Sequence, residues 1–153
     1  MVIASIVGAG LITGLLFSFS NFVMRALAQL QPEKGMFAMQ QINEKIINPM
    51  FLAIFFGTPL LCAVVAFNSV QELSEPGRVV LFIASVAYVI GPFGITMLFN
   101  VPLNNQLARG SLSEAEKVWG KYQIVWQRWN HLRTYIGILS VVLMTVGLSV
   151  ATH

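Results

Sequence analysis

The chain has 153 residues, 56% of them hydrophobic and 10% charged, with a net charge of +3. Soluble globular chains are about a quarter charged, so composition excludes a soluble module, with nucleic acid among its partners, and points to a membrane protein. Residues 1–24, 46–71, 79–108 and 134–153 contain no Asp, Glu, Lys or Arg, and each stretch reaches the roughly 20 residues that a spanning helix needs.

The predicted elements follow in chain order. Residues 2–30 read as an uncleaved first span, because the first cation is Arg25 and the apolar run is too long for a signal peptide. Gln31-Pro32-Glu33 ends it, since proline disfavours helix in the residue before it. A second helix starts near Glu33, runs through Glu44, bends at Pro49 and crosses the bilayer over about 46–68. Its Cys62 is the only cysteine, so no intrachain disulfide forms. Residues 68–77, with Glu72, Glu75, Pro76 and Gly77, form a loop. The third span covers about 78–107, with Gly91-Pro92 and Pro102 as expected kinks. Arg109-Gly110-Ser111 is a turn, and Ser113 with Glu116 fits a capping box. A long fourth helix follows, with its span over 126–151. The stretches are too long and too continuously apolar for barrel strands. The expected fold class is an all-α membrane protein, a single four-transmembrane-helix bundle whose second and fourth helices extend beyond the bilayer on the cytoplasmic side.

Four spans put both termini and the 68–77 loop at one end. Eight of the nine Lys and Arg residues lie towards the other end, only Arg78 towards the first. The positive-inside rule then makes the basic end cytoplasmic and both termini non-cytoplasmic, in a plasma (inner) membrane protein.

Polar side chains gather at the basic end. Gly10, Gly14, Asn21 and Arg25 fall within about 60° on a helical wheel, and Gly10 with Gly14 has the small-xxx-small spacing that lets helices approach closely. Gln41, Glu44 and Asn48 share a face, as do Thr96, Asn100 and Asn104, and Tyr122, Trp126, Trp129, Asn130 and Arg133. Polar groups in a bilayer usually face a bundle interior or a cavity. These stripes therefore predict a shared pocket near the cytoplasmic interface. The competing reading is a headgroup zone with an aromatic belt. His131 falls off the polar face, and Glu44 sits beside Lys45, so neither is an obvious base. No residues have metal-ligand spacing and no phosphate loop is present, so no metal or cofactor is expected.

Three segments occur in order: Ala38-Met39-Gln40-Gln41-Ile42-Asn43, Asn100-Val101-Pro102-Leu103-Asn104-Asn105, and Trp126-Gln127-Arg128-Trp129-Asn130-His131-Leu132-Arg133-Thr134. With the Gly-rich first helix they resemble the anthrone oxygenase-like family of small four-helix membrane proteins, many of whose bacterial members form a domain of unknown function. The resemblance spans nearly the whole chain. It implies oxidation of a flat aromatic, anthrone-type substrate by dioxygen without a cofactor. Arg25, Asn104, Asn130, Arg133 and His131 would then be the catalytic candidates, and Gln41, Asn100, Trp126 and Trp129 would contact the substrate. The alternatives are a non-enzymatic accessory subunit packed on a membrane-protein partner or a second copy of itself, and a protein that binds a quinone-like ligand or lipid without turnover. An enzyme predicts a cavity lined by Arg25, Asn104, Asn130 and Arg133. A packing subunit predicts that these side chains bond one another with no void between them.

Overall fold

A computed structural model describes residues 1–151; His153 lies outside them. The described chain is helical, with four spans: α1 (Val2–Ala28), α3 (Pro49–Val70), α4 (Pro76–Arg109) and α5 (Leu112–Ala151). A shorter helix, α2 (Pro32–Lys45), lies between the first two spans in sequence. The chain is an integral membrane protein, an all-α bundle of four transmembrane helices.

The expected second helix is two helices. Asn48 adopts an extended backbone, and its side-chain oxygen accepts from the Phe51 amide at 3.0 Å. This N-cap and Pro49 at the first helical position start α3 afresh, so α2 is free to change direction. The start of α5 also differs from expectation. Ser111, and not Ser113, is the capping residue, accepting from the Ser113 amide at 3.3 Å. One 3₁₀ turn, Leu112–Glu114, precedes the α-helical run Ala115–Ala151.

Two spans depart from α-helical winding. In α1 the segment Phe19–Val23 is π-helical, and in α4 the segment Val89–Asn100 is. Proline at position 92 explains the second: its ring excludes the preceding turn's carbonyl and it has no N–H to donate. The Thr96 hydroxyl donates back to the Pro92 carbonyl. Residues four apart in an α-helix drift by about 40°. The wider winding reduces that drift, and Thr96, Asn100 and Asn104 all reach α5.

Away from the basic end, packing runs through glycines. A methyl group at Gly91 would collide with Ile136, one at Gly8 with Thr58, and one at Gly137 would lie 2.6 Å from the Thr13 hydroxyl. Gly147 packs on Leu81, where a Cβ would lie 2.9 Å from its Cγ. Lipid tails are as apolar as the helices, so close van der Waals packing, rather than water exclusion, holds these spans together. Gly10 and Gly14 take no part: nothing lies within 4 Å of a Cβ added to either. The whole stripe of Gly10, Gly14, Asn21 and Arg25 is exposed, and α1 turns Ile12, Thr13, Leu16 and Phe19 inward instead.

At the basic end α2 lies against α5. Gly35 makes the approach possible, since a Cβ there would sit 2.8 Å from the Trp119 indole nitrogen and 2.9 Å from the Leu27 carbonyl. Met36 and Met39 are buried beside Trp119, Tyr122 and Trp126. Gln40 donates to the Leu107 carbonyl at 2.8 Å and ties α2 to the end of α4.

Candidate functional site

Beside the contacts of Phe55 and Phe56 with Phe93, residues of α1, α2, the first half of α3, the second half of α4 and α5 border a common space. This space is a cavity of about 640 Å³. Its walls are mostly apolar: Ile12, Leu16 and Phe19 from α1, Phe51 and Phe55 from α3, Met97 and Val101 from α4. Gln41, Asn43 and Glu44 border it from α2, Thr96 and Asn104 from α4, and Trp126 and Arg133 from α5. Ile47, Phe56 and Met97 border it and are exposed on the bundle's lateral surface.

Arg133 is the principal charged group at this cavity. It is 5% exposed, and the two ion pairs among the described residues, Lys45–Glu44 and Arg78–Glu72, lie elsewhere. Neutral acceptors hold the guanidinium. Its Nε and Nη2 donate to Asn130 Oδ1 at 3.1 and 2.8 Å, and its Nη1 donates to the Thr96 hydroxyl at 2.7 Å. The guanidinium carbon sits 5.1 Å from the centre of the Trp126 ring, a cation–π contact. A guanidinium has five N–H donors. Three are used by these bonds, which leaves one on each terminal nitrogen for a group in the cavity.

Asn130 is fully buried and holds Arg133 from behind. Its Nδ2 donates to the Leu16 carbonyl at 3.0 Å and to the Ser20 hydroxyl at 2.8 Å. Ser20 and Thr134 share a bond of 3.1 Å, and Thr134 donates to the Asn130 carbonyl at 2.6 Å. Gln127 Nε2 donates to the carbonyls of Phe19 and Ser20 at 3.3 and 3.4 Å. Those carbonyls belong to the π-helical turn of α1, where the regular bonding pattern is shifted.

Asn104 organises the aromatic wall. Its Oδ1 accepts from the Tyr122 hydroxyl and the Trp126 indole N–H, both at 2.8 Å. Trp119, Tyr122 and Trp126 stack along α5 with ring centres 5.7 and 5.9 Å apart, and Phe19 meets Trp126 edge-on at 5.6 Å. Asn100 is 1% exposed; its Nδ2 donates to the Trp126 carbonyl at 3.3 Å, so it braces this wall from within the packing.

The structure thus brings Gln41, Asn104, Trp126 and Arg133 to one cavity, with Asn130 and Asn100 packed behind it. Three candidates fall elsewhere. Arg25 is on the exposed face of α1. Its stripe does not face inward as expected, because small residues in a bilayer suit a lipid-facing surface as well as a packed one. Trp129 stacks on Phe99 at 3.9 Å and 10°, on the outer surface, as a belt residue does. His131 is half-buried beside Tyr135 with its Nδ1 enclosed and unbonded, and it does not border the cavity. Thr96, expected on the polar face of the third span, bonds Arg133, whereas Ser20 and Gln127 carry no such expectation from the sequence. A serine in an apolar helix gives no signal of its own, since it can satisfy itself locally, as Ser18 does on the Gly14 carbonyl at 3.0 Å.

Glu44 is the one carboxylate on the cavity border, and it pairs with Lys45 at 2.9 Å. That hydrogen bond and charge raise the Lys45 ammonium above its ordinary range. Among the described residues no three His, Cys, Asp or Glu side chains come together as a metal site would require.

No curated protein and no solved structure matches the chain. The anthrone oxygenase family model matches residues 50–143. That segment takes in α3, α4 and most of α5, and with them Thr96, Asn104, Trp126, Asn130 and Arg133. The match covers well over half of the chain, which therefore belongs to the anthrone oxygenase family.

Proposed function

We propose that the cavity binds a flat, membrane-soluble phenolic substrate of the anthrone type and that the protein oxidises it with dioxygen, using no metal or organic cofactor. The observation that carries this reading is the pair of unused Arg133 donors beside an apolar, aromatic-lined slot. A buried guanidinium with spare donors and no carboxylate partner suits an oxyanion, and hydrogen bonds to developing negative charge in a dry site are worth several kcal/mol.

The chemistry balances without further reagents. The central CH₂ of an anthrone loses a proton to give an aromatic phenolate, whose charge Arg133 stabilises. Glu44, the carboxylate on the cavity border, takes that proton. The electron-rich anion passes one electron to dioxygen, and the radical pair combines to a peroxide at the same carbon. The peroxide takes up a proton, then loses the remaining C–H proton and its outer oxygen as water, leaving a ketone. One dioxygen is consumed and one water released per anthrone. Trp126 supplies a flat face for the substrate, and Asn104 holds that ring in place. The lateral exposure of Ile47, Phe56 and Met97 suits entry from the bilayer. The basic end is cytoplasmic in this reading, by its excess of cations.

The test is oxygen uptake by the purified protein given an anthrone. The expected result is uptake above autoxidation, one oxygen per anthrone, with no free peroxide. Arg133→Lys should lose it while eluting as folded protein. Equal uptake by wild type and Arg133→Lys would overturn the site. Saturable binding of an anthrone and of the product quinone, with no uptake above autoxidation, would replace catalysis by carriage.

A further inference from the structure

A second concavity lies on the other side of the α4–α5 junction. It holds about 410 Å³ and is bordered by Leu103, Leu107, Arg109, Lys117, Val118 and Lys121. Its floor is apolar: Leu107 is 1% exposed and Val118 is half-buried. Its rim is cationic. Arg109 comes from the end of α4, while Lys117 and Lys121 stand one turn apart on α5. All three are exposed, and none belongs to either ion pair among the described residues. Glu114 is the one carboxylate on this border, so the concavity carries a surplus of two positive charges.

Depth argues for what it takes. Leu103 to Arg109 are the last turns of α4, where the span passes from apolar residues through Asn104, Asn105 and Gln106 to a cation. The concavity therefore crosses from the hydrocarbon edge to the headgroup level. Three cations outnumbering one carboxylate at a concave surface attract an anion, and three donors from two helices can surround one phosphate. An apolar floor running from the phosphate position towards the bilayer suits the start of an acyl chain. A basic pocket between spans on the cytoplasmic side is the kind that holds lipid headgroups.

We propose that this cleft is a binding site for an anionic phospholipid, with Arg109, Lys117 and Lys121 on the phosphate and Leu103, Leu107 and Val118 along the first acyl carbons. The site is separate from the cavity of the proposed oxidation. Its occupant would bridge α4 to α5 next to Tyr122, which borders the cleft and whose hydroxyl bonds Asn104.

The test is native mass spectrometry of the full-length protein released from mixed phosphatidylglycerol and phosphatidylcholine micelles, with thermal stability measured in parallel. The wild type should retain phosphatidylglycerol in preference to phosphatidylcholine and melt higher in its presence. Lys117→Ala/Lys121→Ala removes two exposed side chains and should fold. It should weaken retention roughly 30-fold, which is about 1 kcal/mol for each cation near an anionic lipid. Lys34→Ala/Arg128→Ala removes the same charge from exposed positions that do not border this cleft, and should change retention little. Equal losses in the two double variants would overturn the site in favour of diffuse surface charge. Protection by millimolar inorganic phosphate equal to that by phosphatidylglycerol would overturn the lipid and leave a free-phosphate site. No preference for phosphatidylglycerol over phosphatidylcholine in the wild type would overturn the proposal outright.

Discussion

At the end that carries the 71–75 loop, the spans meet through glycines; at the basic end they meet through amides, hydroxyls and a guanidinium. The two ends solve the same problem differently. Where helices touch at Gly8, Gly91, Gly137 and Gly147, contact is close and leaves no gap. Where they are linked by Asn104, Asn130 and Arg133, hydrogen-bonding side chains make the contact, and a cavity lies beside them. Polar links between spans measure about 0.6 to 2 kcal/mol each, so they are no stronger a fastening than good packing. Their effect is to fix a polar geometry at the edge of an apolar space.

Substitutions separate the two ends. The largest effect is expected at the polar end: Arg133→Lys should lower anthrone oxidation about 100-fold or more, the loss seen when an oxyanion donor is removed, as read by oxygen uptake. At the glycine end Gly91→Val should destabilise by about 1–3 kcal/mol through overpacking against Ile136. The thermal midpoint should fall while the surviving folded protein keeps its turnover. If Gly91→Val lost turnover with an unchanged midpoint, the two ends would not be separable. Asn104→Ala leaves the Tyr122 hydroxyl and the Trp126 N–H without their acceptor, a cost of about 1–3 kcal/mol. It should also raise KM more than it lowers kcat, because the ring it orients is the proposed face for the substrate. The smallest effect is expected from Arg25→Ala, within about 0.5 kcal/mol in stability and without change in turnover, as for an exposed surface residue. A large loss there would return Arg25 to the site.

The spans and the breaks between them were legible because charge, proline and glycine mark them directly. Leaving Arg25 in the bilayer interior or carrying Glu72 across it would cost too much for any other arrangement. The polar faces of α4 and α5 were legible for the same reason, since amides on an apolar helix seek partners. What failed was the facing of α1. Most of both its sides is apolar or small, and lipid accepts Gly10 and Gly14 as readily as a neighbouring helix does. The π-helical turns were also hidden. Pro92 predicts a kink, but nothing local in Phe19–Val23 announces a shifted bonding pattern whose carbonyls accept from Gln127, more than a hundred residues later. Trp129 shows the limit of wheel arguments: it shares a face with Trp126 and Arg133 on paper, yet it stacks on Phe99 at the surface.

At the basic end, among the described residues, every hydrogen bond between spans ends on α5: Leu16 and Ser20 with Asn130, the π-turn carbonyls of α1 with Gln127, Thr96 with Arg133, and Asn100 and Asn104 with Trp126. Yet α5 leaves the ribosome after the other three spans. Until it arrives, α1 and α4 sit in lipid with amides and carbonyls that only α5 can match, and unmatched polar groups in hydrocarbon are costly. The first three spans are thus a half-built receptor for the fourth, and both the order of synthesis and the cavity's final shape converge on the insertion of one helix.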